Sequence, residues 1–252
     1  ARIVITDLTR FKNPELVCTA GIDLESNRCI RPNPYFKKEF CEKYSIASGT
    51  VLEGQFHAKG QSQPHIEDHT HRNVMPIGSA SVSQFKSALS NSCFESLSEG
   101  FGVELEERSK VIPYDPQAIP VRSLITVNVK KPRSIRIERN KFKEGSFQLS
   151  FCDGTDVWHN YLPITDLGFL NAVTTDPQLR DVSEEIRSAS DSVFLRVGIG
   201  RYWENENGKS GYWLQVNGIY PFPSEKLKRG YGKASTVSSA PKSASIGTQG
   251  EQ

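Results

Sequence analysis

Residues 193–222, VFLRVGIGRYWENENGKSGYWLQVNGIYPF, constrain the fold more than any other stretch of the chain. Val193, Leu195, Val197 and Ile199 recur at every second position, the spacing of a strand with one face in a core. Asn207-Gly208 favours the positive φ angles of a two-residue type I′ turn, so the segment reads as a hairpin. With those two residues as the loop, Tyr202 lies opposite Trp213, Gly200 opposite Gln215 and Gly198 opposite Asn217. Leu214 and Val216 then join the aliphatic residues on the core face. The other face carries Phe194, Arg196, Tyr202, Trp213, Gln215 and Asn217. Aromatic rings, a guanidinium and amides above two glycines make a surface that stacks and hydrogen-bonds a flat polar ligand such as a nucleobase. The plainer alternative is a second layer covering this face, with the glycines letting the sheet bend.

Strands are also expected at 2–6, 16–22, 29–31 and 51–59, with Pro32 and Pro34 breaking the third. Residues 60–78 are polar and histidine-rich and read as a loop. Ser81 or Ser83 can cap a helix to about Cys93, with Phe85 and Leu89 on its inner face. Three prolines between Ile112 and Pro120 prevent regular structure. A strand over 123–139 follows, on which Arg133 and Arg139 share a side with Ile135 and Ile137 while Arg136 points the other way. Strands at 147–151 and 157–164 flank a turn at Asp153-Gly154. A helix then starts at Asp176-Pro177, with Leu179, Val182 and Ile186 at helical spacing.

Three strands, a helix and two strands is the order of the OB fold, a five-stranded Greek-key barrel. The fold class expected is mainly β with minor α: two tandem small OB-like Greek-key barrels, each with one inserted helix. They would occupy 1–111 and 121–227, joined by a Pro-rich connector at 112–120. A low-complexity tail at 228–252, rich in Ser, Ala, Gly and Thr, is expected to be disordered.

The hairpin strings FLRVGIGRYW and GYWLQVNGIYPFP, with ITDLTRF, VCTAGID and RCIRP near the start and YLPITDLGF in the second half, resemble the bacterial dual OB domain family. The resemblance runs to about Pro223. It implies two tandem OB-type barrels and a role in nucleic-acid binding, and it brings no catalytic residues. The repeated Ile-Thr-Asp-Leu at 5–8 and 164–167 is too short to show duplication, and its aspartates are expected to serve backbone amides at strand ends.

Cys18, Cys29, Cys41, Cys93 and Cys152 are odd in number and never in a C-x-x-C pair, which argues against a disulfide framework or a structural zinc site. They fit a reducing, cytoplasmic setting. No apolar run approaches the ~20 residues that span a bilayer, so no membrane partner is expected. The opening ARIVITDLTRF runs straight into a strand pattern without a signal-peptide layout. Within a chain of net charge +2, residues 130–143 hold seven cations against Glu138 alone. Glu95, Glu99, Glu104, Glu106 and Glu107 form a compensating acidic stretch. Such a basic strip is either a solvated rim or a phosphate-tracking surface.

Only His57, His65, Glu67, Asp68, His69 and His71 resemble a metal cluster, and no cysteine or H-E-x-x-H pattern joins them. An exposed polar loop is the better reading, so no metal or other cofactor is expected. Nucleophile-elbow, P-loop and dinucleotide fingerprints are absent. The carboxylate pairs Asp153/Asp156 and Glu184/Glu185 fall in a turn and on a helix, where solvation explains them. The function expected is non-catalytic binding of single-stranded DNA or RNA. Its residues would be Arg133, Arg136, Arg139, Trp158, Tyr161, Arg196, Tyr202, Trp213, Gln215 and Asn217. The alternatives are a protein-interaction module that buries the aromatic face against a partner, and a nucleotide-acting enzyme or sensor using the His65–His71 loop.

Overall fold

β1 (Arg2–Thr9) and β2 (Leu16–Asp23) pair as an antiparallel hairpin in a computed structural model, which describes residues 1–10, 13–60 and 63–223. The expected tail at 228–252 lies outside the described residues. β2 passes on to β3 (Cys29–Pro32) and, at its other end, to the short β4 (Phe36–Lys37) that leads into α1 (Lys38–Lys43). β5 (Thr50–Ala58) then pairs with both β1 and β6 (Asp68–Ser79). β6 runs parallel to β3, which closes a ring of five strands. The result is an OB-like closed barrel with α1 inserted between its third and fourth strands. Ile3, Ile5, Ile30, Leu52 and Val74 fill it.

The polar stretch at 60–78 is therefore not all loop, because β6 takes up most of it. Its outer face is wet and His69 and His71 share one side, with Thr70 and Arg72 between and beyond them, so no apolar alternation marks it.

β1 is covered on its outer face too. Val4 packs with Phe85 and Leu89 of α2 (Val82–Asn91) and with Phe194, Tyr220 and Phe222 from the second half. Ser81 caps α2 in a reciprocal capping box with Gln84, as the sequence suggests.

β7 (Cys93–Phe94), α3 (Leu97–Phe101) and β8 (Val111–Ile112) lead into the second half, and Leu97, Phe101 and Ile112 pack in its core. β9 (Leu124–Val129) stops before a 3₁₀ turn at Pro132–Ser134, and β10 (Arg136–Arg139) resumes beyond it. The expected single strand over 123–139 is thus two strands in two sheets. Pro132 opens the turn that separates them, which takes Arg133 off the strand.

β10, β11 (Phe147–Cys152) and β12 (Trp158–Pro163) form a meander. α4 (Leu167–Ala172) and α5 (Asp176–Arg187) follow, the latter capped by Thr175. β13 (Ser192–Ile199) pairs with β9 and with β15 (Ser210–Phe222), whose outer end also meets β14 (Trp203–Glu204) and β8. The two sheets curl around Ile125, Val127, Phe147, Phe151, Phe169 and Leu195 as a half-barrel. An isolated parallel bridge, Ile164 to Val216, links β12 to β15.

The core face of the hairpin is as its periodicity requires: Val193, Leu195, Val197, Ile199, Leu214 and Val216 are all buried. Its register differs. Asn205 and Lys209 bracket a three-residue loop, and Gly208 takes φ +74° at its end. The ladder shifts again between Trp203/Gly211 and Ile199/Leu214, so Gly198 faces Gln215 and Gly200 bonds to the Trp213 carbonyl, and a bulge at Arg196/Val197 shifts it back by one. Relative to the expected pairing, the ladder is slipped by two residues over Val197–Ile199, which keeps Leu214 and Val216 on the core face, and by one residue at the base.

Candidate nucleic-acid interface

β13 is buried on both faces, so the second layer is real at the base of the hairpin, where Phe194 and Arg196 lie under the first barrel. Arg196 is only 1% exposed. Its Nε donates to Asp7 Oδ2 at 2.9 Å, and its other nitrogens reach Thr126 Oγ1 at 2.9 Å and Cys29 Sγ at 3.1 Å. Burial pushes the Cys29 thiol up to about 12, so it stays neutral. Asn217 is buried as well and accepts from Thr165 Oγ1 at 3.0 Å. Arg196 and Asn217, expected among the ligand contacts, are interior ties in the structure. The two glycines also separate. A Cβ on Gly198 would come within 2.6 Å of Asn217 Nδ2, whereas one on Gly200 would meet nothing closer than 3.9 Å. Packing explains the first glycine, and the second leaves open space.

The outer end of the hairpin remains accessible. Tyr202 is 50% and Trp203 56% exposed, with Trp213 and Gln215 half-buried behind them. The Trp203 and Trp213 rings lie 5.6 Å apart, and Trp213 Nε1 donates to the Trp203 carbonyl at 3.2 Å. Tyr202 meets Tyr114 edge-on at 5.5 Å.

Beside them stands the outer face of β10–β12. Leu149 pairs with Leu162 and Phe151 with His159, so Asn160 and Tyr161 together oppose Ser150 in a bulge. Tyr161 takes φ +56° there, an outlier for a bulky residue, and its amide donates to Ser150 Oγ at 2.9 Å. Its ring is 45% exposed beneath the Lys110 ammonium, 5.0 Å from the centroid. Burial and then the charge of Lys209 lower the Lys110 pKa, against the opposing pull of Glu138. That coupling joins the hairpin turn to the Tyr161 face. Arg136 lies over Trp158 at 5.5 Å, completing a row of rings and cations.

The rest of the basic strip is partly neutralised. Lys130 pairs with Glu95 of the acidic stretch, Lys131 with Asp156 at 2.5 Å and Arg139 with Asp176 at 2.6 Å. Arg139 also lies over Phe147. Arg133 is exposed on the 3₁₀ turn. Four residues of this face escaped the sequence reading: Lys110, Tyr114, Trp203 and Lys209. Phe142 is 97% exposed between Lys141 and Lys143 in the β10–β11 turn, and an aromatic flanked by lysines in a polar turn was a readable signal.

The histidine-rich segment is a clamp. Buried Glu67 accepts from the amides of Ser123 at 2.9 Å and Leu124 at 3.2 Å and from Ser123 Oγ at 2.7 Å, fixing the start of β9. Asp68 accepts from Arg31 Nε at 2.6 Å and from Arg201, beside the hairpin tip, at 2.6 Å. Burial alone would raise the Asp68 pKa; these two guanidiniums outweigh it and hold the carboxyl below its ordinary value. His65 accepts from Arg31 through Nδ1 at 3.1 Å, and burial and nearby arginines push it down to about 3. Among the described residues no three His, Cys, Asp or Glu side chains converge on a metal position. Asp153 is likewise taken up by its turn: burial is outweighed by hydrogen bonds from His159 and Thr155, which hold it at about 2.

Thr9, directly after the first Ile-Thr-Asp-Leu, bridges to Asp166 of the second where the halves join. Asp166 caps α4 through the Gly168 and Phe169 amides at 2.8 and 3.3 Å, and Asp7 holds Arg196. No protein-family model and no curated protein matches the chain.

Proposed function

We propose that the chain is a non-catalytic, cytoplasmic binder of single-stranded DNA or RNA, built as a dual OB domain, with the outer face of its second half as the platform. The carrying observation is Tyr161. A residue in a sparsely populated backbone region typically costs about 1–3 kcal/mol, and such residues cluster where function uses the side chain. Here the bulge turns an aromatic ring outward under a lysine, next to Arg136 on Trp158. Rings stack bases without regard to sequence, and cations neutralise phosphates.

The strand order of the second half supports the dual OB reading. β9/β10, β11, β12, a helical insert, β13 and β15 follow in the order of the closed barrel. The parallel bridge of Ile164 to Val216 stands where the parallel pairing of β3 with β6 stands in the first half. In OB folds the face of strands two and three, with the loops between strands one and two and between four and five, binds oligonucleotides. Those positions correspond here to Tyr161, the Phe142 turn and the Tyr202–Lys209 hairpin tip.

All three tryptophans, Trp158, Trp203 and Trp213, lie on this face. Intrinsic tryptophan fluorescence titrated with a single-stranded oligonucleotide therefore tests the proposal. Saturable quenching supports it, and unchanged emission at micromolar oligonucleotide contradicts it.

A further inference from the structure

A second aromatic groove opens on the first barrel. It has a volume of about 600 Å³, within the ~300–1,000 Å³ of ligand sites. α1 supplies Phe40 and its C-cap Tyr44, whose rings stand 5.0 Å apart and half-buried, and β6 supplies His71 and Arg72. Phe36 backs the floor, 4.9 Å from both Phe40 and His71. Lys37, Lys43 and Arg72 stand exposed on the rim and make no ion pair among the described residues, while Glu39 is the one acidic side chain of the lining. Lys43 lies over the Tyr44 ring at 5.1 Å, and rings below with cations that lack a carboxylate partner above match a base carrying a phosphate.

The groove also has a direction. Tyr35 lines it and hydrogen-bonds to Arg201, the guanidinium that Asp68 holds and that directly precedes Tyr202 at the hairpin tip. The groove thus continues the surface of the second half across the junction between the halves.

We infer that this groove takes the continuation of the same bound single strand, with bases against Phe40 and Tyr44 and phosphates on Lys43 and Arg72. The inference rests on the nucleic-acid reading above. It predicts a binding site longer than one OB-like unit, for which about 4–16 nucleotides is usual.

The test is fluorescence anisotropy on the full chain, with labelled single-stranded oligonucleotides of about 6 and about 20 nucleotides, against Lys43→Glu with Arg72→Glu and, separately, Tyr44→Leu. Both rim residues are exposed, so the charge reversal leaves the core intact. The expected result is about tenfold or greater weakening for the long oligonucleotide and unchanged affinity for the short one. Equal affinity of wild type and both variants for the long oligonucleotide overturns the inference and leaves the second-half platform standing. Equal weakening at both lengths overturns it too, since the groove would then not be an extension. Failure of the wild type to bind either length removes the platform reading and this inference together.

Discussion

Arg196 donates to Asp7 across 189 residues of chain, and both side chains are all but sealed from water. This pair joins the half-barrel to the closed barrel. Asp7→Ala leaves a buried guanidinium without its counter-charge, and breaking such a pair typically costs about 3–5 kcal/mol. Urea denaturation should show a loss of that size. Arg196→Met combined with Asp7→Leu, which removes both charges, should recover most of it. Equal stability of wild type and Asp7→Ala would show that the pair is not holding the halves together.

Tyr161 separates stability from binding. At φ +56° a glycine is more comfortable than a tyrosine, so Tyr161→Gly should leave the melting temperature unchanged or raise it. The same change should weaken single-strand binding by about 1–3 kcal/mol, the usual contribution of one stacked base. A clearly lowered melting temperature would mean that the ring is needed for packing instead.

The hairpin shows how far the sequence can be read. Its apolar alternation reports the core face directly, because Val193 to Ile199 must point one way whatever the register. The register depends on whether Gly208 ends a three-residue loop and on a bulge at Arg196/Val197, and neither has an apolar signature. Nothing local could reveal that Arg196 is interior, since Asp7 comes from the opposite end of the chain. Glu67 and Asp68 mislead for the same reason: their partners Ser123, Leu124 and Arg201 are remote, so a clamp looks like a solvated loop. Trp158, Tyr161, Tyr202 and Trp213 could be picked out by type, as rings in segments that also carry cations, and the structure leaves Tyr161 and Tyr202 exposed and Trp158 and Trp213 half-buried. Lys110 was missed because the segment before the Pro-rich stretch gives no hint that it runs beside β15.

Two buried groups push the pH dependence in opposite directions. Burial raises Asp166 to about 7 against the hydrogen bonds of its cap, so the native state keeps a proton that the unfolded chain has released above pH 4. Its contribution is fully present below that pH and is lost as pH rises towards 7. His65 is held down at about 3, so the unfolded chain takes up a proton that the native state refuses. Its contribution is present above about pH 6.5 and is lost as pH falls towards 3. Each amounts to about 1.4 kcal/mol per pH unit at most, and the two offset between pH 4 and 6.5. Asp166→Asn should therefore make stability fall more steeply on acidification, and His65→Gln less steeply, in denaturation midpoints measured across that range. Parallel pH profiles for all three proteins would contradict the assignment.

Glu67 caps β9 from the other barrel. Glu67→Ala strands the buried amides of Ser123 and Leu124 and should cost about 1–3 kcal/mol per unsatisfied group. Zinc or a chelator should leave the wild-type melting curve unmoved, because these carboxylates are already committed. A melting point that rises with added zinc would restore a metal role to the segment.

The most direct measurement is a salt-dependent anisotropy titration with a single-stranded oligonucleotide, comparing wild type with a Lys110→Ala, Arg136→Ala, Lys209→Ala variant. On single strands each neutralised phosphate contributes about 0.7 to the slope of log affinity against log salt. Wild type should show a steep slope and weaker binding to duplex, and the variant a slope about 2 shallower. Equal slopes for the two proteins, or no single-strand binding at low salt, would contradict it.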